Sequence, residues 1–256
     1  MKHIFFSALI ALSFGTVTPV AAEMSDTTSE DVIRFVESNL LATFYHELGH
    51  ALIDIERLPV FGQEEDAADV LSVVLIDAFF EEDAAVQITY DAAFGFLGEV
   101  ETLEAQGEEP AFWDVHGPDL QRFYTLVCLF YGAAPDERDD VAEELGLPEE
   151  RAESCAEEFE LAADSWGGVL DSLVSEAGGD SMVLGEIDRS TPAARVTADL
   201  VEAEVAAFNA DFELSEPLTV NVVACDEPNA FYDPAETSLT MCIEYGDFLA
   251  NLAPEL

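Results

Sequence analysis

The charge of this chain limits what it can fold into more than any other feature of its sequence. It carries 55 acidic residues against 8 basic ones, a formal net charge of −47, although half of its residues are apolar. Such a chain can bury a core only if nearly all of its carboxylates stay on the surface. Disordered acidic chains contain few apolar residues, so the composition predicts a folded protein. The same charge argues against binding to nucleic acid or to an anionic membrane surface.

The N-terminus has the pattern of a secretory signal peptide. A weakly positive start precedes a short apolar stretch, residues 4–14, and residues 20–22 (Val-Ala-Ala) offer small side chains at a cleavage site. A membrane anchor is the alternative, but the apolar stretch is shorter than the ~20 residues that a spanning helix needs. We therefore predict that residues 1–22 are removed and that residues 23–256 form a soluble, exported protein, periplasmic or secreted, with no membrane-bound segment.

Removal of the signal peptide would leave 55 acidic residues against 7 arginines, a net charge of −48. The acidic residues are dispersed through the predicted helices, so a tail that docks a basic partner is not expected. Dispersed carboxylates instead predict a strongly hydrated surface suited to a saline medium, in which salt screens their mutual repulsion.

The four cysteines predict two disulfides, because an even number of cysteines in an exported chain normally pairs. They are Cys128, Cys155, Cys225 and Cys242, and they allow three pairings. Proximity in sequence favours Cys128 with Cys155 and Cys225 with Cys242. A cysteine-ligated zinc site is the alternative, but the chain has no Cys-x-x-Cys pair.

Hydrophobic periodicity predicts a mostly helical chain that ends in a small sheet. Apolar residues recur at three-to-four spacing before residue 210, whereas two later segments alternate and are rich in β-branched residues. The expected fold class is therefore α+β, as a single domain over residues 23–256 or as a helical lobe, 23–210, and a sheet-containing lobe, 211–256. The predicted helices cover residues 29–56, 63–80, 83–104, 119–131, 135–175 with a joint at Pro148, and 193–208, and the predicted strands cover 218–224 and 238–245 with a turn region between them.

The sequence His-Glu-Leu-Gly-His at residues 46–50 gives the first predicted helix the His-Glu-x-x-His pattern of a zinc-binding helix. Its two histidines are ~6 Å apart along the helix axis and ~40° apart around it, so both imidazoles can reach one metal ion. We predict His46 and His50 as metal ligands and Glu47 as the catalytic base. Two buried histidines on an amphipathic helix are the alternative, but the pattern seldom arises by chance in a chain with four histidines.

A zinc site of this kind needs a third protein ligand. Asp54 lies too far along the same helix to share a metal with the first motif histidine. The next predicted helix opens with four acids within six residues, and the short preceding turn would fold it back against the first helix. Glu65 is favoured over Glu64 as the ligand, because only Glu65 leaves an acid, Asp69, one turn on to accept the distal N–H of a ligand histidine. A solvated helix start favoured by the helix dipole is the alternative for these acids.

These segments resemble the gluzincin metallopeptidases, the group of thermolysin and neprilysin. The resemblance rests on His-Glu-x-x-His at residues 46–50 and on Glu-Asp-Ala-Ala-Asp at residues 65–69. In addition, residues 229–234 (Asn-Ala-Phe-Tyr-Asp-Pro) are similar to the strand with which neprilysin-like enzymes hold the substrate backbone. The resemblance implies substrate contacts from Asn229 and Ala230. Most of the mature chain also resembles an exported bacterial family of metallopeptidase-like proteins of unknown function.

The order of these segments differs from that in thermolysin and neprilysin. In those enzymes the substrate strand precedes the zinc helix, whereas here it follows the helix by about 180 residues. The segment that separates His50 from Glu65 is also short. A permuted chain order would therefore have to bring the strand back beside the helix.

Two further residues are candidates because of their chemistry. His116 is the one histidine of the mature chain outside the motif, and we predict that it stabilises the oxyanion of a tetrahedral intermediate. Tyr124 and Tyr232 are alternative donors, and an exposed loop histidine is the alternative reading of His116. Arg122 is predicted to bind a substrate carbonyl or carboxylate, with an ion pair to a neighbouring acid as its alternative.

Together these features predict a peptidase with one Zn²⁺ ion and a peptide or protein substrate, and the acidic surface should favour neutral or basic peptides. Two other function classes fit part of the pattern. One is an inactive zinc-containing module that binds peptides without cutting them, and the other is a metal-binding protein whose carboxylates buffer cations. Glu47 favours the peptidase, because a structural zinc site needs no base. The sequence leaves the oligomeric state open.

Overall fold

The computed structural model describes residues 23–254, so the predicted signal peptide lies outside the described residues. Within this range the chain forms eight helices and one four-stranded sheet, which confirms the predicted α+β class. The helices are α1 (Glu30–Ile55), α2 (Glu64–Phe79), α3 (Glu82–Gln106), α4 (Asp119–Ala133), α5 (Asp139–Glu144), α6 (Glu149–Leu173), α7 (Pro192–Asp211) and α8 (Ile243–Leu252), and the strands are β1 (Met182–Ile187), β2 (Leu218–Val223), β3 (Ala230–Asp233) and β4 (Ser238–Cys242).

Three elements near the C-terminus differ from the sequence prediction. The predicted strand 238–245 is wrong beyond Cys242, where the chain turns directly into α8. Helix α8 packs closely on α7, because a Cβ on Gly246 would lie only 3.1 Å from the Ala193 Cβ. Strand β1 was not predicted since four of its six residues are exposed and its apolar residues do not alternate. Strand β3 lies in the segment that periodicity assigned to a turn, and the resemblance alone pointed to a strand there.

The sheet has the order β1-β2-β4-β3, with β1, β2 and β4 parallel and β3 antiparallel to β4. Alternate residues of β2, namely Leu218, Val220 and Val222, are fully buried, so one face of this strand packs against the core. Strand β3 pairs with β4 on one side, so its other side is an edge of the sheet. This edge lies beside α1.

Helix α1 is the central helix of the structure, and 16 of its 26 residues are buried. Ser29 is its N-cap, and the Ser29 hydroxyl accepts a hydrogen bond from the backbone N–H of Val32. It contacts α2, α3, α7, α8, β3 and β4. Its apolar side chains share one core cluster with those of the sheet, for example Leu52 with Val220. A helix that is apolar on most sides belongs in the interior, so the histidine motif is carried into the middle of the molecule.

Both predicted disulfides are present. Cys128–Cys155 joins α4 to α6, and Cys225–Cys242 joins the segment after β2 to the end of β4. Two disulfides indicate an oxidising environment, as expected for an exported protein. None of the helices in residues 23–254 is both long enough and apolar enough to cross a membrane.

Helices α1 and α2 are in close contact at Gly49, inside the histidine motif. A Cβ on Gly49 would lie 2.9 Å from the Ala68 Cα and 3.0 Å from the Ala68 Cβ. Glu65 lies three residues before Ala68, and Asp69 lies one residue after it. The contact at Ala68 therefore brings this turn of α2 against the two histidines. The glycine of the motif therefore sets the distance between the two helices.

We expect Gly49→Ala to destabilise the metal-free protein by about 1–3 kcal/mol, because the added methyl group must push α2 away from α1. Gly167→Ala in α6 is the matched control, since a Cβ there would meet no atom within 4 Å and alanine has the higher helix propensity. Denaturant unfolding measures both effects. Wild-type stability in Gly49→Ala would mean that the contact between α1 and α2 relaxes at no cost.

Candidate metal centre

One cleft of about 980 Å³ contains the whole predicted site. Its walls come from α1, α2, α3, α4, the segment before α4, strand β3 and α8. The structure thus brings together residues that lie at opposite ends of the sequence. The predicted site residues that line the cleft are His46, Glu47, His50, Glu65, Asp69, His116, Arg122, Asn229 and Ala230.

The three predicted ligand atoms form a nearly equilateral triangle. The Nε2 atoms of His46 and His50 are 3.2 Å apart, and the Glu65 Oε2 lies 3.2 Å from the first and 3.1 Å from the second. Ligand atoms ~2.0–2.1 Å from a tetrahedral zinc ion are separated by roughly 3.3 Å. The residues present therefore fit a zinc ion without rearrangement.

The outer nitrogen of each motif histidine is held by a carboxylate. The His46 Nδ1 lies 2.7 Å from the Asp69 Oδ1, and the His50 Nδ1 lies 2.9 Å from the Glu64 Oε1. A carboxylate partner favours the proton on Nδ1, which leaves the Nε2 lone pair to face inward. Two inward lone pairs and the Glu65 carboxylate then converge on one point, and such a set of acceptors calls for a cation.

Glu64, the sequence-based competitor of Glu65 for the metal, thus contacts the outer nitrogen of His50. Asp54 lines the same cleft, and its carboxylate accepts a hydrogen bond of 2.7 Å from the Tyr232 hydroxyl. Each of the four acids considered from the sequence thus has its own contact. Glu65 faces the inner nitrogens, Asp69 and Glu64 contact the outer nitrogens, and Asp54 binds Tyr232.

His116 joins the centre from the segment before α4. Its Nε2 lies 2.9 Å from the Glu65 Oε2, and its ring stacks on that of His46 with centroids 6.1 Å apart. One donor atom each from His46, Glu65 and His116 also lies within 4.8 Å of the others, so His116 offers a second way to complete a three-ligand set. The His50 side chain is 13% exposed and contacts Glu64 through its outer nitrogen, whereas the His116 side chain is 47% exposed. His116 therefore stands on the open side of the centre.

Arg122 holds Asp69 in place. Its Nε and Nη2 atoms donate two hydrogen bonds of 2.8 Å to the two Asp69 oxygens, and its guanidinium lies over the Phe96 ring at 4.7 Å. Burial alone would raise the pKa of Asp69, but the hydrogen bonds from Arg122 and His46 hold this pKa well below its usual value. Asp69 thus stays ionised and can orient His46. This ion pair is the alternative role considered for Arg122 from the sequence. A contact between Arg122 and a substrate stays a prediction.

Glu47 is buried next to the histidines and faces the same cleft. Burial raises the pKa of Glu47, while the charges of His46 and His50 act in the opposite direction. Its carboxylate also accepts a hydrogen bond from the backbone of Tyr232 on β3. The sheet edge therefore touches the candidate base directly.

The free edge of β3 runs along this site. The Asn229 carbonyl accepts a hydrogen bond of 3.0 Å from the Cys242 N–H, so the alternation of an antiparallel ladder turns the backbone groups of Ala230 and Tyr232 away from β4. The Asn229 Oδ1 accepts a hydrogen bond of 2.9 Å from the Ala230 N–H. The permuted order of the segments is thus compatible with a strand beside the histidine helix.

The sequence prediction missed several cleft residues, among them Tyr245 and Glu99. Tyr245 lies in α8, in the part wrongly predicted as strand, and its hydroxyl is 3.2 Å from the Thr43 Oγ1. Burial, together with the charge of Glu99, raises the pKa of Tyr245 to about 12, so its hydroxyl keeps its proton. Neither residue belongs to a local motif. Tyr124, one of the alternative donors, is not among the residues that line the cleft.

Comparison with protein families agrees with this geometry. Residues 10–170 and 188–253 match the family DUF4344, which is described as "Putative metallopeptidase". The chain belongs to this family. Neither a curated protein nor a solved structure matches the chain significantly. Family membership and the converging histidine and carboxylate donors together support a peptidase-like role for the cleft.

We expect Arg122→Lys to lower the affinity for Zn²⁺ by about 10-fold to 100-fold, because an ammonium group cannot bind both Asp69 oxygens and Asp69 then orients His46 less firmly. Arg151→Lys is the matched control, since Arg151 makes a similar two-bond pair with Glu158 on α6. Competition titration with a chelator measures the affinity. Equal affinity in both variants would mean that Asp69 holds His46 as firmly without the two-bond contact from a guanidinium group.

Proposed function

We propose that this protein is a zinc-dependent peptidase. The observation that carries the proposal is the convergence of two imidazole lone pairs and one carboxylate, with the buried Glu47 beside them. Two nitrogens and one oxygen in tetrahedral spacing suit zinc, and a catalytic zinc site uses three protein ligands and keeps one position open. We assign His46, His50 and Glu65 as these ligands. A bound zinc ion supplies Lewis acidity, which activates water and polarises a peptide carbonyl.

Glu47 acts as the general base and then as the general acid. It takes a proton from the attacking water and returns it to the amine of the leaving peptide. Its burial supports this role, because desolvation moves the pKa of a carboxyl group towards the operating pH. The Tyr232 N–H holds the carboxylate at the edge of the cleft, where a scissile bond would lie.

The substrate binds as an extended strand along β3. The outward carbonyls of Ala230 and Tyr232 accept hydrogen bonds from its main chain, while their N–H groups stay with Asn229 Oδ1 and Glu47. The Asn229 side chain adds its amide NH2 group at one end. This β-augmentation gives affinity without demanding a particular side chain at each position. We propose in addition that the base, the three ligands and the strand are arranged as in the gluzincin metallopeptidases.

His116 stabilises the negative charge that develops on the carbonyl oxygen. It stands on the open side of the centre, where its half-exposed ring can turn from Glu65 towards a substrate. A donor at this position would contribute about 10²–10³-fold in kcat. Arg122 supports the same side of the cleft through Asp69.

The test is a comparison of zinc content and peptide cleavage in residues 23–256. We expect Glu47→Gln to retain one zinc ion and to lose on the order of 10²–10⁴-fold in kcat, because only the proton transfer is removed. Glu30→Gln, in the exposed first turn of α1, is the matched control and should cleave like the wild type. A mixed peptide library with mass-spectrometric detection serves as substrate, at high salt because of the charged surface.

Two outcomes would contradict the proposal. Full zinc occupancy with no cleavage by the wild type would favour the inactive peptide-binding module. Cleavage that survives in both Glu47→Gln and His46→Ala would place the activity outside this centre.

A further inference from the structure

The cleft continues beyond the metal centre into a branch between α1, α3 and α8. The branch reaches the level of Asn39, which is seven residues before His46 and thus about 10 Å away along α1. Its lining is mainly apolar and aromatic. The residues that line it are Asn39, Ala42, Ala92, Phe96, Tyr245 and Phe248.

The packing of α1 on α3 creates this space. A Cβ on Gly95 would overlap the Asn39 side chain, so the two helices are in close contact at that level. Beyond this contact, small side chains at residues 42 and 92 leave room between the helices. The rings of Tyr245 and Phe248 stack with centroids 6.0 Å apart and close the side formed by α8.

Glu99 is one helical turn after Gly95 on α3 and lines the same cleft. Within residues 23–254 its carboxylate has no hydrogen bond and no ion pair, in contrast to Asp69 and Glu65 nearby. Burial, together with the charge of Asp119, raises the pKa of Glu99 to about 7, although Arg122 and His116 act against this shift. Glu99 is partly buried, and a carboxylate in such a place that meets no donor is stabilised when a cation approaches it.

We propose that this branch is a specificity subsite for a cationic side chain of the substrate, lysine or arginine, with Glu99 as its counter-charge. The proposal rests on the peptidase function proposed above and names the class of substrate. The apolar walls suit the methylene stem of such a side chain, and the stacked rings of Tyr245 and Phe248 offer a surface for its charged end. The depth of the branch suits a long side chain better than a short one.

The substrate's own N-terminal amine is a second source of the same charge. An amine on the main chain would lie close to the strand edge, whereas a side chain can reach along the branch. The depth of the branch therefore favours the side chain. Peptides with acetylated N-termini separate the two sources.

The test scans each position around the cleaved bond in acetylated peptides with lysine, arginine, norleucine or glutamate. We expect the wild type to prefer lysine or arginine to norleucine at one position by at least about tenfold in kcat/KM, as for a charge-assisted pair. In Glu99→Gln this preference should fall by a similar factor. Glu101→Gln, an exposed residue on the same helix, is the matched control and should keep the wild-type preference.

A second measurement keeps the subsite testable if no peptide is cleaved. Binding of butylguanidinium and of its neutral analogue butylurea is measured by calorimetry on the wild type and on Glu99→Gln. We expect the wild type to bind the cation at least about tenfold more tightly than the variant does, with no such difference for butylurea.

The outcomes separate the two proposals. Cleavage without a preference for basic residues, or a preference that persists in Glu99→Gln, would overturn the subsite and leave the peptidase standing. A preference that needs a free N-terminus would also overturn the side-chain assignment. Absence of cleavage with Glu99-dependent binding of butylguanidinium would overturn the peptidase and support the cation site.

Discussion

The close packing of α1 against α2 sets the geometry on which the rest of the cleft depends. Gly49 has no side chain, so Ala68 can approach it directly, and the turn of α2 that carries Glu65 and Asp69 then faces both motif histidines. A wider separation would leave the histidines without their carboxylate. The motif glycine thus matters through packing, because the close contact of the two helices places the carboxylates beside the histidines.

The cleft balances its charges locally, although the chain as a whole is strongly acidic. Arg122 neutralises Asp69, Asp69 orients His46, and Glu64 orients His50. Buried carboxylates are tolerable in this arrangement because each meets a donor or a cation. Most of the 55 acidic residues play no part in it, since the surface carries them. Glu99 departs from this rule, because its carboxylate meets no donor within the described residues. For that reason we propose that a substrate supplies the positive charge.

Sequence reasoning predicted the parts of the site that depend on short spacing. The helix repeat relates His46 to His50, the short turn after α1 brings back Glu65, and proximity pairs the cysteines. It failed where the position depends on packing between distant segments. Tyr245 falls in a predicted strand because Ile243-Glu244-Tyr245 alternates, whereas the segment is helical and packs on α7 through Gly246. The edge strand was found by resemblance, since its four residues carry no clear period.

The sequence distance between the two halves of the cleft bears on the order in which the protein folds. The hydrogen bonds from Tyr232 to Asp54 and between Tyr245 and Thr43 join residues 178 and 202 positions apart. Contacts of such long range form late, because the entropy of closing large loops opposes them. Helices α1 and α2, by contrast, are neighbours in sequence and can pack early. An emerging chain would therefore bring His46, His50 and Glu65 together well before β3 and α8 exist, and the cleft would gain its remaining walls only when these late segments are added.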